Sequence, residues 1–434
     1  MAVFFIKKLL FKGIYKIALG LKTVVRPLLS PEQRQKFKKM LLKKAYPLKN
    51  NESSSEKHFA GNFGVNLIGY ARAEMGIGES CRIAAKSLDA GNIPFGILNY
   101  TGTNKARMGD LSWGHKEIGE PSYMFNVFHL NAEQMMEAYA HYGDRIFNGR
   151  YNIGFWHWEL PEFPDEWLEN MNLVDEIWVP STFVADSISA KSRVPVVKIP
   201  HSIEVKIDEP RSREYFGLPQ DPFLFLCMYD LKSYQERKNP MGAIKAFQSA
   251  FDRNDDSVGL VVKVNGLHDG DKDTDILNEI AAGYRNIHFI KQTLSRSDTN
   301  ALLQAVDSFV SLHRSEGFGL GLAEAMYLGK PVIGTGWSSN IDFMNAYNSC
   351  IVDYELIPVG QDHGPYKKEQ LWAEPNLGTA ASYMGKIFHD ATFRELIASN
   401  GQITIREEFS PQAVSKKIKR RLDYINLWNS GGLK

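Results

Sequence analysis

Cysteine is scarce: there are three in 434 residues, Cys81, Cys227 and Cys350, far apart and without metal-ligand spacing. This excludes a disulfide scaffold and a cysteine-held metal centre, and it points to a reducing compartment. No uninterrupted apolar run approaches the ~20 residues of a membrane-spanning helix, and lysines break any stretch that could form a signal-peptide core. Net charge is nearly absent too, with 51 basic and 50 acidic residues. Internal repeats and long low-complexity tracts are missing. So is a dinucleotide fingerprint: Gly76 and Gly78 are followed by Cys81 and Arg82, where G-x-G-x-x-G requires a last glycine, which disfavours a dinucleotide-dependent oxidoreductase. The run Asp269–Asp275 is calcium-loop-like only on the surface. It lacks the glycine at the sixth position and the glutamate at the twelfth, so no metal is expected there.

What is present is a chain long enough for two to three domains, with ample apolar residues for their cores. The charge balance conceals an asymmetry. Residues 1–50 hold thirteen Lys or Arg and a single acid, Glu32, leaving 38 basic and 49 acidic residues for the body. In this arm Ile6, Leu10, Ile14, Ile17 and Leu21 share one face at helical spacing, and Lys8, Lys12, Lys16 and Lys22 share the opposite one. That pattern predicts an amphipathic basic helix lying on an anionic membrane, helped by a second basic run from Arg34 to Lys44. Packing on the chain's own acidic body is the alternative. Nucleic acid is a third, which nothing else in the chain calls for. Asn50–Lys57, with its serine run, reads as a linker.

The body alternates apolar strands with helical segments, which predicts an α/β architecture of doubly wound parallel sheets. Gly64–Tyr70 is the expected first strand, followed by a glycine-containing loop around Gly76 and Gly78 and then a helix. Tyr123–Leu130 and Tyr151–Glu159 are strands ending near His129 and His157, and ligands in such sheets bind beyond the carboxyl ends of strands. Glu162, Asp165 and Glu166 are expected at a capped, exposed helix start. Val196–His201 closes the first domain, and the polar run from Glu204 to Arg213 is an interdomain linker. In the second domain the strand Phe223–Tyr229 leads through Arg237 and Lys238 into a helix at Met241–Phe251. Two adjacent cations at the mouth of a strand-to-helix crossover suit a diphosphate.

The richest stretch runs from His313 to Met326. A strand, Ser308–Leu312, enters a turn carrying Gly317, Gly319 and Gly321, and a helix from Ala323 ends at Gly329-Lys330-Pro331. Such a turn lets backbone approach a ligand and leaves the first helical N–H groups free for an anion. Glu316 and Glu324 flank it. Carboxylates accept hydrogen bonds from hydroxyls, so the pattern suits a ligand with a diphosphate in the middle and a sugar at each end.

Glu316 and Glu324, seven residues apart in this glycine setting, resemble the E-x7-E motif of retaining, nucleotide-sugar-dependent glycosyltransferases of the GT-B fold, family four (glycosyl transferases group 1). The resemblance covers Asn62 to about Asn426. It implies two facing Rossmann-like domains with a nucleotide sugar in the cleft and transfer with retention of configuration without a required metal or other cofactor. It assigns Glu316 to the transferred sugar and Glu324 to the nucleotide ribose. Arg237 and Lys238, with Gly317, Phe318, Gly319 and Leu320, would bind the donor phosphates, and the loop of Gly78 would close over the donor phosphates or the acceptor. His157 takes the position of a histidine near the reacting carbon. The domains expected are an arm and linker at 1–57, an acceptor-side domain at 58–205, a nucleotide-sugar domain at 206–410 and a helix at 411–434 that crosses back to the first domain. The implied partner is a glycan or lipid-linked acceptor, in cell-surface polysaccharide synthesis; the basic arm at residues 1–50 adds the anionic inner face of a membrane, which places the expected enzyme in the cytoplasm as a peripheral membrane protein. A non-catalytic sugar- or nucleotide-binding scaffold of the same fold is the alternative.

Overall fold

The computed structural model describes residues 10–15, 17, 30–47, 59, 61–102, 106–266 and 272–431. Strands β1 (Asn62–Gly69), β2 (Phe95–Asn99), β3 (Tyr123–His129), β4 (Tyr151–Phe155), β5 (Glu176–Val179) and β6 (Val196–Lys198) form one sheet in the order β2-β1-β3-β4-β5-β6. All its pairs are parallel. A second parallel sheet has the order β12-β11-β10-β7-β8-β9, from β7 (Phe223–Asp230), β8 (Val258–Asn265), β9 (Ile287–Ile290), β10 (Ser308–Ser311), β11 (Val332–Thr335) and β12 (Cys350–Val352). The inner strands β7 and β8 are near-continuous apolar runs, as strands covered by helices on both faces must be. Strand order reverses between β1 and β3 in the first sheet and between β7 and β10 in the second. These switch points are where such sheets open a crevice for ligands.

Register in the first sheet has a polar component. Asn66, Asn126 and Asn152 stand opposite one another on β1, β3 and β4, each buried. Asn66 Nδ2 donates to Asn126 Oδ1 at 2.9 Å and Asn126 Nδ2 to Asn152 Oδ1 at 2.8 Å. A slip of one residue would leave these amides unpaired in the core, so the ladder specifies the pairing.

The last helix, Pro411–Asn429, is capped by Ser410 Oγ accepting from the Ala413 N–H at 3.2 Å. Val414, Ile418, Leu422 and Ile425, spaced at three to four residues, bury one stripe of it against the first sheet and the helix Gly76–Ala90. Arg421 adds an ion pair to Glu176, a carboxylate with no exposed surface. Chain from beyond the second domain thus completes the core of the first.

Several segments depart from expectation. The helix after the glycine turn starts at Leu320, so Gly321 lies inside it and Gly319, at φ 96°, is its N-cap. Glu162, Asp165 and Glu166 do not open a capped helix. The segment is a 3-10 helix, Asp165–Leu173, whose cap position is Pro164, a residue with no side-chain acceptor. A hairpin, β13 (Tyr354–Pro358) with β14 (Leu371–Pro375), follows the second sheet without having been foreseen. The three cysteines are free and buried, and burial pushes each thiol up to about 12.

Of the basic arm, Leu10–Tyr15 and Ile17 are helical, with Tyr15 buried and Leu10 and Ile17 exposed. The second basic run forms the helix Pro31–Ala45, opened by a capping box between Ser30 and Gln33. This helix packs on the first domain, burying Leu41, Leu42 and Ala45 beside Tyr15 and Met136. Lys38 pairs with Glu137 at 2.6 Å, Lys39 with Glu166 at 2.9 Å, and Lys43 with Glu169. The remainder of the expected amphipathic helix, the linker at Asn50–Lys57 and the start of the calcium-like loop lie outside the described residues.

Candidate functional site

A cleft of about 290 Å³ opens between the two sheets at both switch points. From the first domain it is lined by Gly76 and Ile77 after β1, Asn131 after β3, and His157 and Glu159 after β4. From the second come Lys238 after β7 and the run Glu316–Leu322 after β10. Because β7 and β10 are neighbours whose crossovers leave in opposite directions, residues 78 apart in sequence meet at one point.

Lys238 Nζ donates to Glu316 Oε1, and Arg237 Nη1 stands 3.5 Å from Glu316 Oε2. Arg237 is buried and also donates to the Ser315 carbonyl at 2.8 Å. Burial alone would resist ionisation of Glu316, but the charges of Lys238 and Arg237 outweigh it and hold the carboxyl at about 2. The backbone around it is fixed in turn. The Glu316 N–H donates to Ser338 Oγ at 2.9 Å, and the Arg314 N–H to the Arg237 carbonyl at 2.7 Å. Arg314 reaches Glu374 on β14 at 2.5 Å, so the hairpin braces the loop.

Gly319 takes the left-handed conformation that ends the turn, and the helix Leu320–Tyr327 begins directly behind it. The N-terminus of this helix faces the cleft with Gly317, Phe318, Gly319 and Leu320 in its lining. Unpaired N–H groups there and the cation Lys238 opposite make a site for an anion.

Glu324 does not lie in this cleft. It is buried one helical turn further on, beside a second cavity of about 320 Å³ whose walls include Glu79, Arg82 and Lys86 of the first domain and Arg296 of the second. Arg296 donates to Glu324 and lies 3.8 Å from Glu79. Burial raises the Glu324 carboxyl above its ordinary range despite that partner. Both cavities are lined by residues of both domains, and the glycine turn lines only the first.

His157 lines the cleft, but its ring nitrogens are engaged. Nε2 is 2.9 Å from His201 Nε2 and Nδ1 is 3.4 Å from Asn131 Oδ1. Burial keeps it neutral, with its pKa lowered to about 4. His129 is buried beneath, stacked on Phe155 and 3.0 Å from Ser80 Oγ. Gly78 is not part of the lining; a β-carbon there would sit 2.1 Å from the Ala73 carbonyl. Gly78 thus packs closely within the loop, while Gly76 and Ile77 line the cleft.

Sequence reading passed over Glu159, His201, Arg296 and Tyr366. For Arg296 a signal existed, a lone cation at the first position of a helix following β9. For the others the partners come from distant segments, and nothing local marks them.

Residues 208–350 match the family model for glycosyl transferases group 1. No curated protein sequence matches the chain. Among solved structures, a glycosyltransferase from Rickettsia africae is similar at 13% identity and a TM-score of 0.61, over 84% of this chain and 99% of that one. Sucrose-phosphate synthase from Thermosynechococcus elongatus is similar at 14% identity and 0.58, over 87% and 98%. HepE of Anabaena, in complex with UDP, is similar at 15% identity and 0.57, over 83% and 100%. Against the pneumococcal O-GlcNAc transferase GtfA and Staphylococcus aureus TarM, the chain spans 56% and 55% of their length. At these identities the likeness is one of fold. The chain has the GT-B fold, and its residues 208–350 are similar to the family of glycosyl transferases group 1.

Proposed function

We propose that the protein transfers a sugar from a nucleotide-sugar donor to a glycan or lipid-linked acceptor with retention of configuration, in cell-surface polysaccharide synthesis. The observation that carries the reading is the meeting of Lys238 and Glu316 beside the open glycine turn at the switch point of the second sheet. The donor diphosphate lies against the turn and Lys238, the transferred sugar reaches Glu316, and the ribose occupies the second cavity at Glu324.

Chemically, the bond from the anomeric carbon to the phosphate oxygen breaks, and its electron pair leaves on the nucleoside diphosphate. Lys238, Arg237 and the helix N-terminus stabilise that growing charge. The acceptor oxygen forms its bond on the same face and its proton passes to the departing phosphate. This route needs no protein nucleophile. His157, with both nitrogens occupied, shapes the wall beside the sugar and is not assigned a proton transfer.

The arm adds a membrane association to this reading. Leu10, Ile17, Phe37 and Met40 remain exposed on the arm segments among numerous lysines, a surface suited to anionic lipid. Among the described residues no helix is long and apolar enough to cross a membrane.

A calorimetric binding screen of UDP-, GDP- and dTDP-sugars tests the donor assignment. At least one is expected to bind the parent and to bind Lys238→Ala more weakly. Absence of binding across the screen would overturn the reading.

A further inference from the structure

We propose that Glu159 is a specificity-determining residue whose carboxylate accepts a hydrogen bond from a carbohydrate hydroxyl in the cleft, an inference that rests on the nucleotide-sugar reading above. After β4 the chain continues extended, so side chains alternate. Trp156 and Trp158 turn inward, at 0% and 1% exposure, while His157 and Glu159 face the cleft. The alternation singles out two positions, and only Glu159 has acceptor capacity to spare there.

Glu159 belongs to the first domain, yet its neighbours come from the second. Its carbonyl accepts from Ser315 Oγ, next to Glu316 in the chain. Its carboxylate is near the Tyr366 hydroxyl, which burial and then the charge of Glu159 raise well above the ordinary phenol value, and its Oε1 lies 3.8 Å from where a β-carbon on Gly317 would stand. Tyr366 is buried, with its ring 5.6 Å from Trp158, 5.3 Å from Tyr234 and 5.8 Å from the Arg237 guanidinium. The carboxylate therefore lies beside the glycine turn, next to a rigid neighbour.

Charge decides what it holds. Two carboxylates, Glu316 and Glu159, share the site with two cations, Lys238 and Arg237, and the cations are spent on Glu316. A carboxylate accepts about four hydrogen bonds, so Glu159, in the cleft lining, keeps acceptor capacity directed at the cleft. Phosphate is repelled there. A neutral, donor-rich sugar is not, and a hydroxyl bonded to an ionised carboxylate is discriminated strongly from its deoxy counterpart.

The test compares parent, Glu159→Gln and Glu159→Asp, using the nucleotide sugar that binds the parent best in the screen, its monodeoxy analogues and the corresponding nucleoside diphosphate. Nucleoside diphosphate affinity is expected to stay within about twofold of the parent, while kcat/KM with the intact substrates falls about tenfold to a hundredfold in Glu159→Gln and recovers in part in Glu159→Asp. If the hydroxyl is on the donor, donor hydrolysis without acceptor falls too, and one monodeoxy donor is used equally by parent and Glu159→Gln. If it is on the acceptor, hydrolysis is unchanged and only transfer falls. Parental rates in Glu159→Gln overturn the proposal, as does equal loss of nucleoside diphosphate affinity and of rate with every analogue, the mark of a merely structural role. Failure of the parent itself to bind any nucleotide sugar overturns the donor reading and this inference with it.

Discussion

Lys238 and Glu316 satisfy each other, and on the proposed reading a diphosphate in the cleft would compete for that lysine. Replacing Lys238 with alanine removes a charge from a leaving group whose own charge grows as the bond breaks. Turnover should therefore fall on the order of a hundredfold or more, with a smaller loss in donor affinity; unchanged kinetics would show that Lys238 does not meet the phosphates. Protonation offers an independent check. Burial lowers His157 to about 4 and His129 to about 3, with His157 adding to the latter, and it lowers His201 as well. Below the ordinary histidine pKa of about 6.5 the unfolded chain takes up protons that the folded chain refuses, so stability present above that value is lost as the pH falls towards about 4. Urea midpoints should drop from about pH 7 to 5, less steeply in His201→Gln. Glu316 acts in a lower window, contributing stability that is full above the ordinary value of 4.5 and lost as the pH falls towards about 2. A midpoint flat from pH 7 to 5 in the parent would contradict the buried neutral histidines.

The basic helix Pro31–Ala45 lays three lysines on acids of the first domain while Phe37 and Met40 face out. Its basic run was legible in the sequence, but the choice between membrane and body was not, because Glu137, Glu166 and Glu169 lie more than ninety residues away. Exposed pairs of this kind contribute little each, about 0–1 kcal/mol, so the buried contacts of Leu41 and Leu42 carry most of the docking. Replacing Glu137, Glu166 and Glu169 together with glutamine should hasten proteolysis within the arm and strengthen sedimentation with anionic liposomes, leaving the body's unfolding midpoint nearly unchanged. The parent should sediment with such liposomes, less so as salt rises, and a chain starting at Asn51 should not. Equal sedimentation of parent and truncated chain would move the membrane determinant elsewhere. The hairpin of β13 and β14 escaped sequence reading for a different reason: its strands are short, half exposed and separated by a polar loop, giving neither a buried run nor a tight-turn signal.

Across the whole molecule, the alternation of strands and helices announced two parallel sheets, since Phe223–Asp230 and Val258–Asn265 read plainly as buried strands. The glycine turn with its flanking acids was equally plain. What could not be read was the apposition of the domains, which brings Glu159 to Tyr366 and Arg296 to Glu79, or the packing within each domain, which brings His157 to His201 and points Glu324 away from Glu316. The closing helix takes part in that apposition. Glu176 is fully buried and held by Arg421, Trp178 and Tyr151, so Arg421→Met should cost about 3–5 kcal/mol by leaving a buried carboxylate without its cation; a loss under about 1 kcal/mol in urea unfolding would show that the aromatic donors suffice. The central claim is the orientation of the donor, with the transferred sugar at Glu316 and the nucleoside at Glu324. Calorimetric titration of the parent, Glu316→Gln and Glu324→Gln with the nucleoside diphosphate tests it most directly. The account predicts weakened binding in Glu324→Gln and near-parental binding in Glu316→Gln, whose loss appears in turnover instead. Abolished nucleotide binding in Glu316→Gln together with parental binding in Glu324→Gln would contradict it.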